Sequence, residues 1–290
     1  MPIAPVLLNL WLVCAGEPLQ AAPQPTLTVL SLNLMQKASA PRKERFAKLA
    51  DSLAKEPADF LLLQEGSGGL WDGTQNSIGD LAGLLDGRGL RYTHVSRDSL
   101  GVAGFLVFKV AVASRRPMAF TDAACLGEPG GDWFDKSPLP GRKNAVAAGA
   151  DVPGFGKVNV VSVHLFTGSD KGAQVEALLA FVRELDAKHP AAVTVVGGDF
   201  NFADSHPAYA QMVSAGFTDA GKDAGPTFGL PENPLRKAKK PSRIDYIFVK
   251  GKAKVTRAEV KFNREGQWVS DHCGVLTHVT PAEPAKQHVK

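Results

Sequence analysis

Eight polar residues stand at or near the ends of apolar runs: Asn33, Glu65, His164, Asp199, Asn201, Asp245, Asp271 and His272. The runs themselves read as buried strands, such as Phe60-Leu61-Leu62-Leu63 before Gln64-Glu65, and Ala192 to Val196 before Gly197-Gly198-Asp199-Phe200-Asn201. Carboxylates set among apolar residues are costly unless a cation or a hydrogen-bond network holds them. Glu65, Asp199, Asp245 and Asp271 together carry too much negative charge for one pocket without a counter-ion. Hard carboxylate and amide oxygens favour Mg2+, Mn2+ or Ca2+ over Zn2+, so the pattern implies a site for a divalent cation and a phosphate. Taken singly, each residue has a plainer reading: Asn33 as a turn cap, Glu65 on a rim, His164 as a satisfied core histidine, Asp199 and Asn201 as turn chemistry beside two glycines. Recurrence at successive strand ends favours the joint reading.

Positioning such groups requires a scaffold of strands. Thr26 to Leu34 and Asp59 to Gln64 read as strands, separated by a helix that Pro41 opens, that carries Phe46, Leu49, Ala50 and Leu53, and that Pro57 closes. A weaker helix is expected over Ser77 to Leu85, and an amphipathic one through Val175, Leu178, Leu179, Val182 and Leu185, ending near Pro190. Further strands are predicted over 91–95, 104–108, 110–114, 144–152, 157–164, 192–196, 244–249, 254–262 and 273–279. Residues 121–143, with four Gly and three Pro around Trp133-Phe134, read as the longest irregular stretch, and 219–242 as a second. Turns between the extended pairs at 104–114 and 144–164 are too short for helical crossovers. Much of the sheet must therefore be antiparallel, and an α/β domain with mixed or paired sheets is expected over a parallel doubly wound one.

The chain has 290 residues, 44% hydrophobic and 21% charged, with a formal charge of +4, which excludes a disordered protein and one that coats nucleic acid by charge alone. Three cysteines with no CxxC spacing exclude a disulfide scaffold and a thiolate zinc site; Cys273 reads as a buried thiol, with a bridge to Cys125 left open. Ile3 to Ala15 is almost wholly apolar and too short to span a bilayer. Residues 1–22 are expected to be a secretory signal cleaved near Ala21 or Ala22, placing the protein outside the cell or in a periplasm, with a buried N-terminal helix as the alternative. One domain is expected over 23–280, with 281–290 a frayed tail. No P-loop, Gly-x-Ser-x-Gly or His-Glu-x-x-His motif is present.

In chain order, Leu32-Asn33-Leu34, Leu63-Gln64-Glu65, Ser162-Val163-His164-Leu165, Gly198-Asp199-Phe200-Asn201, Arg243-Ile244-Asp245-Tyr246 and Ser270-Asp271-His272 resemble the motif series of the endonuclease/exonuclease/phosphatase superfamily, the DNase I-like fold. The resemblance runs from about Thr26 to Val279, and the Gly-Asp-Phe-Asn and Ser-Asp-His motifs are its most specific parts. It implies a four-layer α/β sandwich of two mixed sheets flanked by helices, with the site where loops converge at one rim. It implies a metal-dependent phosphoesterase in which Glu65 is the principal Mg2+ ligand, supported by Asn33 and Asp271. Asp199 and Asn201 would orient water and hold a phosphate oxygen, His164 and His272 would contact non-bridging oxygens, with His272 as one candidate general base, and Asp245 would fix the tautomer of His272.

The superfamily cuts DNA, RNA, phosphoinositides, sphingomyelin and other phosphodiesters, so the resemblance does not choose the substrate. The apurinic branch typically carries a Lys two residues beyond the metal-binding Glu; here Ser67 stands there, which disfavours abasic-site repair. The basic run Arg236, Lys237, Lys239, Lys240 and Arg243 reads either as cations that track a phosphate backbone, as a nuclease needs, or equally as a solvated loop. Trp133-Phe134 reads either as an aromatic pair that dips into a membrane interface, as a lipid phosphodiesterase with peripheral membrane contact needs, or equally as loop packing, and no long exposed apolar hairpin is evident. Arg142 and Lys143 would hold a substrate phosphate in either case, together with Asn201 and His164. The alternative is a catalytically silent binding protein on the same scaffold, and no feature points to an obligate protein partner.

Overall fold

The computed structural model describes residues 24–36, 41–102, 104–127, 144–167, 170–236 and 240–282. The expected signal over residues 1–22, Arg142 and Lys143, Trp133-Phe134, Lys237 and Lys239, and almost all of the expected tail lie outside the described residues.

Strand β1 (Leu27–Asn33) leads through helix α1 (Arg42–Lys55) to β2 (Phe60–Gly68), which lies parallel to it. Helix α2 (Ser77–Asp86) precedes the hairpin of β3 (Thr93–Val102) and β4 (Leu106–Ser114), and β5 (Phe120–Cys125) follows. Next come β6 (Asn144–Val152), β7 (Gly156–His164), α3 (Lys171–Lys188), β8 (Val193–Asp199), α4 (Pro207–Ser214) and the short β9 (Thr218–Asp219). Strands β10 (Asp245–Gly251), β11 (Ala253–Lys261) and β12 (Gly274–Pro281) close the chain.

Two mixed six-stranded sheets result, ordered β11-β12-β1-β2-β4-β3 and β5-β6-β7-β8-β10-β9. Helices α1 and α2 cover the outer face of the first sheet through Phe46, Leu49, Leu53, Ile78 and Leu81 against Leu30, Leu32, Leu61 and Leu63. Helices α3 and α4 cover the second through Val175, Leu178, Val182 and Met212 against Val161, Val163, Val196 and Phe248. Leu27, Val29, Phe60, Leu62 and Val112 of one sheet meet Val158, Val160, Val195 and Ile247 of the other. The architecture is the expected four-layer α/β sandwich.

Two expectations are corrected, and one helix is added. Residues 104–108 and 110–114 are not separate strands but belong to one, β4, because Lys109 stays in register with Gly66 and Asp98. Part of the stretch expected to be irregular, Phe120–Cys125, is an edge strand paired with β6; its composition carries little alternation, and the pairing comes from its neighbour. Helix α4 has no long apolar stripe to announce it; it is held by a proline in its first turn, by the His206 ring accepting from the Ala208 amide at 3.1 Å, and by burial of Ala208 and Met212.

Candidate functional site

Strand alternation builds the site directly. In β1, Leu27 and Val29 face the other sheet, so Ser31 and Asn33 continue that face toward the strand end; Val158, Val160, Ser162 and His164 do the same in β7, and Val193, Val195, Gly197 and Asp199 in β8. The layer between the sheets is thus aliphatic at its base. It turns polar midway, where the Gln64 amide donates to Ser162 Oγ at 3.0 Å. At the rim it ends in the candidate residues. Registers His164↔Asp199 and Asp199↔Asp245 set three of them side by side.

Gly197 and Gly198 are part of β8 and do not make the turn considered for them. A Cβ on Gly198 would lie 1.8 Å from the Val163 carbonyl oxygen, and one on Gly197 2.7 Å from Leu62 Cδ1. They are needed for close approach of β7 and of the opposite sheet.

Glu65 departs from the alternation. Simple period-two continuation would put it with Leu61 and Leu63, facing the helices. A bulge between Leu63 and Gly66 and a left-handed φ of 51° turn it instead toward Asn33. Asn201 has a φ of 53° as well. Such backbone costs of order 1–3 kcal/mol and persists where the surroundings impose it, commonly at functional sites.

The hydrogen bonds form one network. Asn33 Nδ2 donates to Glu65 Oε1 and to Asp199 Oδ2, each at 3.1 Å, and the Gln36 amide donates to Glu65 Oε2 at 3.2 Å. Asp199 Oδ1 accepts from the Asn201 amide at 2.9 Å, and Oδ2 lies 3.5 Å from His164 Nε2 and 3.8 Å from His272 Nε2. Asn201 Nδ2 donates to the Leu165 carbonyl at 3.0 Å. His272 Nδ1 lies 3.0 Å from Asp245 Oδ2, and the Thr227 hydroxyl donates to that same oxygen at 2.6 Å.

Burial and crowding among these groups shift their protonation. Desolvation pushes the Asp199 carboxyl up to about 7, with Asp245 and Glu65 adding to it against His272 and the Asn33 amide. Desolvation works against charge on His272, but Asp245 and Asp199 outweigh it and raise the imidazole to about 10. Beyond burial, the two shifts share a cause: acidic side chains crowd around a buried imidazole, which favours protonation within the group.

The tight cluster of metal-capable groups among the described residues is Asp199, Asp245 and His272, with ligand atoms within 4.8 Å of one another. Glu65 joins it through Asn33. Asp271 is set apart: its oxygens meet Arg236 at 3.3 Å and the Ser270 hydroxyl at 3.4 Å, although its charge, like that of Glu65, acts on Arg45. A groove of about 630 Å³ opens alongside, lined by Pro41, Arg45, Lys48, Leu235, Arg264 and Trp268 among others, but none of the eight candidate residues lines it.

Several contributors escaped the sequence reading. Arg45 is buried in α1 and donates to the Leu34 and Val269 carbonyls at 2.7 Å and to Met35 at 2.9 Å, tying the chain after Asn33 to the chain before Asp271-His272. Thr227 receives the Asp245 amide at 3.1 Å while donating to its carboxylate. Asn233 Nδ2 supports the Ser270 carbonyl at 2.9 Å. A charged residue on the apolar stripe of α1 was the signal available for Arg45; Thr227 and Asn233 lie in an irregular stretch that offered none. Within the basic run, Arg243 pairs with Asp219 and Asp204 at 2.5 and 2.9 Å and lies over Tyr246, so it is not free to track a phosphate backbone. Arg236 covers Phe228, whose ring packs on His272. Cys125 and Cys273 are both free thiols, one exposed and one buried.

Carboxylates, amides and imidazoles thus gather at one rim of a two-sheet sandwich. Residues 30–272 match the family model described as Endonuclease/Exonuclease/phosphatase family, and the chain belongs to that family. No curated protein matches it in sequence. Among solved structures it is similar to an endonuclease/exonuclease/phosphatase from Beutenbergia cavernae DSM 12333, with 21% identity and a TM-score of 0.69 over 89% of this chain and 72% of that one. It is similar also to the Bacteroides thetaiotaomicron VPI-5482 mannosyl-6-phosphatase Bt3783, with 20% identity and a TM-score of 0.66 over 88% of this chain and 99% of that one. D. rerio TDP2 complexed with single strand DNA product gives 17% identity and a TM-score of 0.65 over 88% and 99%. At these identities the likenesses establish the fold, and family membership makes the chain a phosphoester hydrolase.

Proposed function

We propose that the protein is a secreted or periplasmic phosphodiesterase that works with a divalent cation, Mg2+ by the hardness of its donors, with Mn2+ or Ca2+ as substitutes. The observation that carries this reading is the Asn33 amide holding Glu65 and Asp199 at one rim, beside an imidazole clamped by two carboxylates. The donors fit such an ion: Glu65 meets only neutral N–H donors in the hydrogen bonds described, and on top of burial its charge, with that of Asp245, pushes up the Asp199 carboxyl. Glu65 and Asn33 are the residues that would hold it; Asp271, expected to support them, is turned instead to Arg236 and the Ser270 hydroxyl. When bound, the ion neutralises phosphoryl oxygens and draws an anionic ester to the rim.

The chain's own groups divide the remaining work. Asp199, with a proton affinity near neutrality, accepts the proton of the attacking water, and the Asn201 amide fixes its carboxylate. His272, held charged by Asp245, donates from Nε2 to a non-bridging oxygen, so the donor role replaces the general-base option for this residue. His164 donates to the same phosphoryl group. The substrate is a phosphodiester, whether in nucleic acid, a phospholipid head group or a small diester.

The test is hydrolysis of bis-p-nitrophenyl phosphate, plasmid DNA, RNA and sphingomyelin with Mg2+, Mn2+ or EDTA. Turnover of the generic diester should vanish with EDTA, and Asp199→Ala or His272→Ala should lower it by about 10²- to 10⁴-fold. Hydrolysis indifferent to EDTA and to both substitutions would remove the reading.

A further inference from the structure

Among the described residues the large apolar side chains exposed to solvent are Leu70, Trp71, Val102, Phe105 and Val213, and four of the five meet in one place. Leu70 and Trp71, 79% and 74% exposed, form a turn just beyond β2; Val102 and Phe105 form the tip of the β3–β4 hairpin beside it. The Leu70 and Trp71 amides donate to the Gly104 and Phe105 carbonyls at 3.0 and 2.9 Å, and the rings of Trp71 and Phe105 lie 5.6 Å apart.

This exposure is built in. Gly69, at a φ of 115°, has no Cβ to strike the Phe105 carbonyl, which would lie 2.4 Å from one. Asp72 anchors the turn from below, accepting from Arg42 at 2.5 Å and from the buried Ser67 hydroxyl at 2.8 Å. Ser67, at the position where the apurinic branch has Lys, thus serves the exposed turn. Hydrogen bonds and an ion pair hold apolar side chains out in water, and Trp71 lies only six residues past Glu65, within about 22 Å along the chain.

We propose that this tip is a docking surface for an uncharged or zwitterionic phospholipid surface. Charge selects the occupant. Across residues 66–76 and 99–106 the only charged side chain is Asp72, which Arg42 neutralises. Binding of a nucleic-acid strand on aromatics uses a cationic groove, whereas the charged side chain within these two stretches is the acidic Asp72. A stable second copy would need roughly 800 Å² from each partner, and four partly exposed side chains on two projecting turns offer a few hundred. A lipid interface asks for no matching hollow: Trp and Phe sit at its headgroup level, and leucine enters the acyl boundary. Docking here brings a lipid phosphodiester to the rim that carries Glu65; that last step alone rests on the phosphoesterase reading.

The test uses the full chain with phosphatidylcholine vesicles. Brominated phosphatidylcholine should quench tryptophan emission more strongly in the native protein than in Trp71→Phe, which isolates Trp71 from the other tryptophans. Trp71→Ala with Phe105→Ala should weaken vesicle partition at least tenfold, insensitive to salt, and leave bis-p-nitrophenyl phosphate hydrolysis unchanged. Equal quenching in Trp71→Phe overturns the proposal. So does binding that needs anionic phosphatidylserine and disappears at high salt, or quenching of Trp71 by oligothymidylate in place of vesicles. Vesicle binding without hydrolysis of the soluble diester would sink the phosphoesterase reading and leave this surface standing.

Discussion

Replacing Arg45 by Met separates the two halves of the site while keeping most of the side chain's stem. Arg45 is 4% exposed, its guanidinium gives three short hydrogen bonds to carbonyls of Leu34, Met35 and Val269, and burial lowers its proton affinity. Substitution leaves three carbonyls without a charged donor, each worth about 1–3 kcal/mol, offset in part by relief of the guanidinium's own desolvation. A net loss of about 3–5 kcal/mol is expected, a large part of a typical total of about 5–15. For a domain of this size that lowers the midpoint by roughly 6–20 °C. Arg45→Lys should fall between, since one ammonium cannot satisfy the fork. Thermal unfolding followed by circular dichroism in EDTA measures it. A midpoint within about 3 °C of the native protein would refute the clamp.

Three further outcomes follow from the geometry. Thr227→Val should lower stability by about 2–3 kcal/mol, because it strips a charge-assisted hydrogen bond from Asp245 and leaves its amide unpaired; denaturant midpoints at constant slope report it. In EDTA, stability should fall as pH rises from about 6.5 toward 10. His272 is raised to about 10, so its contribution is complete below the ordinary histidine value and lost through that window; His272→Gln should flatten this limb of the unfolding profile. Asp199, raised to about 7, acts with the same sign between the ordinary carboxylate range and 7. Gly198→Ala should fail to fold or lose more than about 3 kcal/mol, since its Cβ meets the Val163 carbonyl; soluble yield and melting decide, and a native-like protein would contradict the packing.

What the amino-acid sequence determined is local. Period-two alternation in Leu27–Asn33, Gly156–His164 and Val193–Asp199 already places Asn33, His164 and Asp199 on the same face as the aliphatic residues between the sheets. The identity of the polar residue at each strand end, and hence the hard-donor chemistry, was legible without coordinates. What only the tertiary structure decided is which of these groups touch. The bulge that turns Glu65 away from the helix face arises from pairing with β4, more than forty residues on. Arg243 reads as a free cation until Asp204 and Asp219 fold against it. The clamp of Arg45 on Val269 spans 224 residues, and the Trp71 turn is held out by a hairpin not yet made when its own sequence is read. Alternation and helical spacing are set by covalent geometry over a few residues, whereas partner choice depends on strand register and loop closure between distant segments, which no local pattern encodes.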